Sequence, residues 1–202
     1  ALAQVREPSE LIVLITGAEA PAYAALRRQF PGVKWIFRRK ALDYGGAVEF
    51  GLRLASHPWV YLLNSDMTLQ PRALVEVLKL RRSDTFAAGS RIRMRDGSNT
   101  ETNWTDLRYA ERDAAELIER DAGGVTEARG CLYVGGGSGL FRRSPLRRFV
   151  RRTRAYSPFY WEDVEWGALA WRSGISASFA RVPRQFTGAD RPSRAITTNA
   201  SS

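Results

Sequence analysis

The feature that most constrains this chain is a run of short β-rich segments alternating with stretches of helical composition. Leu11-Ile12-Val13-Leu14-Ile15 is the first such segment and Val33 to Phe37 the second. Trp59-Val60-Tyr61-Leu62-Leu63 is the third. Short apolar runs bounded by turn residues read as strands buried on both faces. Pro21 to Phe30, Tyr44 to Ser56 and Pro71 to Arg82 carry helical patterning between or after them. Pro31-Gly32 stops the first of these, and Pro71 stands in the first turn of the third. Such alternation predicts an α/β fold with a mainly parallel sheet flanked by helices.

The pattern loosens further on. Phe86 to Met94 reads as a strand, and Thr105 to Arg120 as a charged, exposed helix. Leu132 to Phe141 reads as extended but glycine-rich. Glu162 to Arg172 reads as a short helix closed by Gly174, the residue type favoured just past a helix end. Ile175 to Val182 alternates and reads as an edge strand. A chain of 202 residues suits one domain with a sizeable core. Residues 1–194 are expected to form it, with 195–202 as a polar tail.

Charge narrows the partners. The chain carries 31 basic and 21 acidic residues, a formal charge of +10. Most of the basic residues are arginine, whose planar fork suits phosphates. Anionic lipid, phosphorylated small molecules and nucleic acid all fit that balance. With no zinc-ligand spacing, RNP-like strand or recognition helix in the sequence, nucleic acid is not expected. No apolar run approaches the ~18–20 residues of a spanning helix. The single cysteine, Cys131, fits a reducing compartment, so a cytoplasmic location is expected.

Two acidic stations carry the chemistry. The strand Trp59 to Leu63 runs into Asn64-Ser65-Asp66, and ligands of open α/β sheets bind beyond the carboxyl ends of strands. A carboxylate at Asp66 would suit Mg²⁺ or Mn²⁺ bridging the phosphates of a nucleotide. Asn, Ser and Asp are equally good turn formers, so a simple turn stays open as a reading. Tyr160-Trp161-Glu162-Asp163-Val164-Glu165-Trp166 puts three acids at the start of a helix. The helix dipole favours acids there for structural reasons. Adjacent carboxylates and aromatic neighbours also raise carboxyl pKa values toward the range of a general base. Trp166 and Trp171 read as core or as a sugar platform. Between the stations lies Gly135-Gly136-Gly137-Ser138-Gly139. It is no Walker P-loop, and taken alone it reads as a flexible turn or as a close approach to ligand.

Taken in order, these pieces resemble glycosyltransferase family 2, the inverting enzymes with the GT-A fold. Leu63-Asn64-Ser65-Asp66 is similar to that family's Asp-x-Asp element, and Asp43-Tyr44-Gly45-Gly46-Ala47 to its upstream helix start. Gly136 to Ser144 resembles its small-residue strand ending in Phe-Arg-Arg. Trp161-Glu162-Asp163-Val164-Glu165 resembles its aromatic-Glu-Asp element. The likeness runs from Leu11 to Pro183. It implies a divalent metal, Mg²⁺ or Mn²⁺, on Asp66, and a nucleotide-sugar donor near Asn64, Ser65, Asp66, Gly45, Gly137 and Ser138. It implies Asp163 as general base, and Glu162 and Trp161 against a glycan or lipid-linked acceptor. The family's first strand is expected to be missing, with the chain starting inside the first helix. Ala41 and Glu49 stand where the family often has Asn, and Pro183 is followed by Arg184-Gln185-Phe186 rather than by a His. His57, the only histidine, reads as a loop residue. An inactive domain of the same fold and a nucleotidyltransferase remain as alternative readings. Arg142, Arg143, Arg147, Arg148, Arg151, Arg152 and Arg154 crowd one stretch. They read as a solvated helix face or as a contact with anionic membrane at the cytoplasmic face.

Overall fold

A computed structural model describes residues 5–92, 104–109, 115–120, 127–156 and 160–180 of the chain. β1 (Ile12–Thr16) is followed by a 3₁₀ turn and α1 (Ala24–Gln29), then β2 (Lys34–Arg38), α2 (Tyr44–Leu54) and β3 (Trp59–Leu63). α3 (Ala73–Leu78) and β4 (Thr85–Gly89) come next, then β5 (Trp104–Tyr109), β6 (Ala115–Arg120) and β7 (Arg129–Cys131). β8 (Ser138–Arg142), α4 (Arg143–Arg152), α5 (Glu162–Arg172) and β9 (Ser176–Phe179) complete the order.

The α/β class holds, and the sheet pairing is mixed. β1 and β2 pair in parallel, as do β4 and β9. A five-stranded sheet has the order β3-β8-β4-β9-β7, and β8 runs antiparallel to both β3 and β4. β7 likewise runs antiparallel to β9. The parallel pattern of the first half therefore gives way once the chain returns through β8. β9 lies between β4 and β7, not at an edge. Its alternation comes from Ala177 and Phe179, which face the core at 1% and 2% exposure.

The segment Thr105 to Arg120 corrects the expected helix. β5 and β6 form an antiparallel hairpin in which Arg108 stands opposite Glu116, and their side chains bond at 2.6 Å. Opposite charges at directly facing positions stabilise a strand pair as well as a helix turn, so charge density alone did not choose. Trp104, Thr105 and Tyr109 favour strands, and Thr105 is buried. Leu132 N–H donates to Thr105 O at 2.8 Å, tying the hairpin to the strand beside the site.

The core sits between the larger sheet and helices α2, α4 and α5. Phe86 meets Phe141 and Phe149 edge-on at 5.7 and 5.2 Å, and Phe141 meets Trp166 at 5.9 Å. Trp166 is fully buried, and its Nε1–H donates to Thr153 Oγ1 at 2.9 Å. α4 buries Leu146, Phe149 and Val150 and turns Arg147, Arg148, Arg151 and Arg152 outward, the spacing of an amphipathic helix. Trp171 is exposed, so the core accounts for one of these two tryptophans.

Candidate active site

The site is built on the carboxyl end of β3. Asn64, Ser65 and Asp66 are exposed as they leave the strand, and Met67 N–H donates to Asn64 O at 3.2 Å to close a turn. The residues make a turn, and that turn presents Asp66 to solvent beyond the end of β3.

The second station begins α5. Asp43 caps α2 through Gly46 N–H at 2.7 Å, yet no side chain caps α5, whose preceding residue Trp161 is left-handed at φ 79°. For a non-glycine residue that conformation costs about 1–3 kcal/mol, and such strain clusters at functional sites. It leaves Trp161 60% and Tyr160 73% exposed, directly before the acids. Glu162 is buried with its Oε2 unpartnered. Asp163 is half-buried, and its carboxylate accepts from Gly136 N–H at 3.1 Å and Val164 N–H at 3.0 Å.

The glycine run joins the two stations. Asn64 N–H donates to Gly137 O at 2.8 Å, while Gly136 N–H reaches Asp163. Two successive residues thus link the β3 turn to the carboxylate on α5. This segment is no flexible turn: Leu132 to Gly136 are all buried. Its glycines are required by close approach. A Cβ on Gly136 would lie 2.1 Å from Tyr44 Oη, and one on Gly137 would lie 3.0 Å from Asn64 Nδ2. From the other side, a Cβ on Gly167 of α5 would lie 2.3 Å from Leu132 O. Glycines on both partners therefore let helix and strand segment close up until Asp163 meets Gly136.

Electrostatics follow from this packing. Burial pushes the Asp163 carboxyl up, against the lowering effect of the Gly136 and Val164 amides. Burial also raises Glu162, and the negative charges of Asp163 and Asp43 add to it. Both carboxyls are thus moved toward proton acceptance near neutral pH, the property a general base needs.

Other expected site residues fall in different places. Ser138 is buried, with its hydroxyl bonded to Tyr61 Oη at 2.9 Å, so it supports the site from beneath. Gly45, in the first turn of α2, borders open space where a side chain would go. His57 lies in the bend before β3, as expected of a loop residue. The stretch Pro183 to Gly188 lies outside the described residues. Tyr44 was read only as a helix start. Its contact with Gly136 depends on α2 meeting the glycine segment, which no local pattern announces.

Among the described residues no cluster of three or more His, Cys, Asp or Glu side chains is arranged to hold a metal ion. Asp66, with the amide and hydroxyl oxygens of Asn64 and Ser65, is an oxygen donor set with one carboxylate. That set fits a hard cation that takes most of its ligands from a bound diphosphate and water, the usual manner of Mg²⁺ in nucleotide sites.

A family model described as "Glycosyltransferase like family 2" matches residues 1–198. A search of the curated proteins gave no significant match. Among solved structures, GalNAc-T7 with UDP, GalNAc and Mn²⁺ aligns at TM-score 0.63 and 14% identity, over 90% of this chain and 38% of that one. The mannosyltransferase PcManGT from Pyrobaculum calidifontis, in complex with GDP-Man and Mn²⁺, aligns at TM-score 0.53 and 15% identity, over 87% and 48%. A mycobacterial protein aligns at TM-score 0.52 and 15% identity, over 93% and 58%. These likenesses show a shared fold, and the chain spans less than two thirds of each neighbour's length.

Proposed function

Since the chain belongs to glycosyltransferase-like family 2, we propose that it moves a sugar from a nucleotide-diphosphate sugar to an acceptor hydroxyl, with inversion at the anomeric carbon. The observation that carries this reading is the glycine bridge, which ties the turn that exposes Asp66 at a strand end to the Asp163 carboxylate at a helix start. One station suits the diphosphate and the other suits the acceptor.

Asp66 would hold the divalent cation together with the donor's diphosphate, with Asn64 and Ser65 alongside. Such a cation offsets the charge that develops on the leaving diphosphate. Asp163 takes the proton from the acceptor hydroxyl as its oxygen attacks the anomeric carbon and the bond to the diphosphate breaks. Glu162 borders that base. Trp161 and Tyr160, exposed beside it, offer flat apolar surface to a sugar ring. The buried position of Glu162 and Asp163 favours this over a nucleotidyltransferase, which needs no acceptor base there.

A screen of sugar nucleotides for binding with and without Mn²⁺ or Mg²⁺ tests the donor half. At least one should bind in a metal-dependent way, and Asp66→Ala should weaken that binding about tenfold or more. Metal-independent binding untouched by Asp66→Ala would remove Asp66 from the role.

The arginine stretch divides in the structure. Arg142 donates to Thr85 O at 3.0 Å, Arg143 bonds the Ala55 carbonyl, and Arg151 pairs with Glu49 at 3.3 Å. Arg147, Arg148 and Arg152 face outward, and we assign them to contact with an anionic membrane surface that holds a lipid-linked acceptor. At about 1 kcal/mol per basic residue, replacing all three by Gln should lower sedimentation with anionic liposomes severalfold. Equal, negligible binding to anionic and neutral liposomes would remove the assignment.

A further inference from the structure

Tyr44 opens α2 immediately after its Asp43 cap. Its ring stacks on Trp166 with centroids 6.3 Å apart and planes at 25°. Its hydroxyl abuts Gly136, the residue whose amide holds Asp163. The phenol is therefore a wedge between α2, α5 and the glycine bridge. Packing alone explains the ring but not the oxygen. Tyr44 Oη is shielded from solvent and has no hydrogen-bond partner among the described residues, and an unsatisfied buried hydroxyl lowers stability. A phenylalanine would fill the same space without that loss.

A second orphan lies on the neighbouring element: Glu162 Oε2 is also buried and unpartnered. One atom is a donor and the other an acceptor. The charges facing Tyr44 are Asp163 and Glu162 from α5, and Asp43 stands beside it on α2. The Leu132 to Gly137 segment packed against it contributes no charged residue.

We propose that Tyr44 is a positioning residue, its hydroxyl turning onto Glu162 Oε2 as that carboxyl ionises and so holding the Glu162–Asp163 pair against the glycine bridge. This deepens the reading of Asp163 as base and rests on it. The contact satisfies both orphans with one hydrogen bond. It also removes the competing choice in which the Glu162 carboxylate crowds Asp163, since adjacent carboxylates titrate as a coupled pair. The negative field already present at the phenol keeps the hydroxyl protonated, because burial and the charges of Asp163 and Glu162 all oppose its ionisation. Tyr44 therefore acts as a donor throughout.

The test is Tyr44→Phe, read in two independent ways. Carbon-13 NMR of the resting protein follows the titration of the Glu162 and Asp163 carboxyls without any substrate. The apparent midpoint of the pair should rise in the variant, because the ionised form loses a donor. In steady-state transfer, kcat should fall about tenfold while KM for the sugar nucleotide stays within about twofold, and the acidic limb of the pH profile should move upward. At acidic pH, where the Glu162 carboxyl is protonated, thermal stability should equal or exceed that of the unmodified chain, which separates positioning from a packing defect. Identical carboxyl titrations in the two proteins would overturn the proposal. So would wild-type kcat with an unmoved pH profile. Absence of transfer by the unmodified chain would count against the proposed function, and the titration would still decide the role of Tyr44.

Discussion

Glu162 is an acid that the fold holds out of solvent. It is 7% exposed, carries an unpartnered oxygen and has no basic neighbour bonded to it among the described residues. An acid whose pKa is raised by folding binds its proton more tightly in the folded state. Its stabilising effect is fully present below the pKa of the unfolded chain and is lost as pH rises through the folded value. At neutral pH, Glu162 and Asp163 therefore oppose folding. Replacing Glu162 by Gln should therefore raise the melting temperature at pH 7. The advantage should vanish near pH 4, where both proteins are neutral at this site. A variant less stable than the unmodified chain at pH 7 would mean that folding does not oppose the Glu162 charge. Glu10 is the opposite case. Lys34 and Ser56 hold its carboxyl down to about 2, so its contribution persists at neutral pH and is lost on acidification toward that value. The acids themselves were legible in the sequence, as was their helix-start position. Their burial was not, because it comes from α2 and the glycine segment far away along the chain.

At the level of elements, the strands that follow local rules were readable and those set by pairing were not. β1, β2 and β3 announce themselves as apolar runs, α2 by its helical patterning and α5 by the glycine that closes it. The β5–β6 hairpin did not, since its alternating charges suit either structure. β9 was read at an edge because alternation signals a half-exposed strand. Its neighbours β4 and β7 are assigned only by the return of the chain. The glycine run was the most misleading segment. Glycines usually loosen a chain, yet here they serve close approach from three sides. Gly167→Ala tests this. Its added Cβ would meet the Leu132 carbonyl at 2.3 Å, so α5 must shift, with a stability loss of about 1–3 kcal/mol. The shift also draws Asp163 away from Gly136, so transfer should fall by tenfold or more. Gly45→Ala, with open space at its Cβ, should change stability little and serves as the control. Equal behaviour of the two variants would mean that α5 has room to spare.

Across the whole molecule, a parallel β1–β2 pair and a mixed five-stranded sheet place their loops so that one buried segment, Leu132 to Gly136, ends on the Asp163 carboxylate. The order of motifs along the chain was enough to reach the family and the fold. It was not enough to show that Asn64 and Asp163 lean on adjacent glycines, because that contact joins residues nearly a hundred positions apart. No helix among the described residues is long and apolar enough to cross a membrane. The central claim is that the two bridged stations divide the labour, with Asp66 serving the donor and Asp163 the acceptor. The most direct measurement compares Asp163→Asn with the unmodified chain, following sugar-nucleotide binding by calorimetry and transfer by product formation. Loss of a general base lowers rates by about 10²–10⁴. The account predicts a loss of that size in kcat with metal-dependent donor binding unchanged. Wild-type turnover in Asp163→Asn would contradict it.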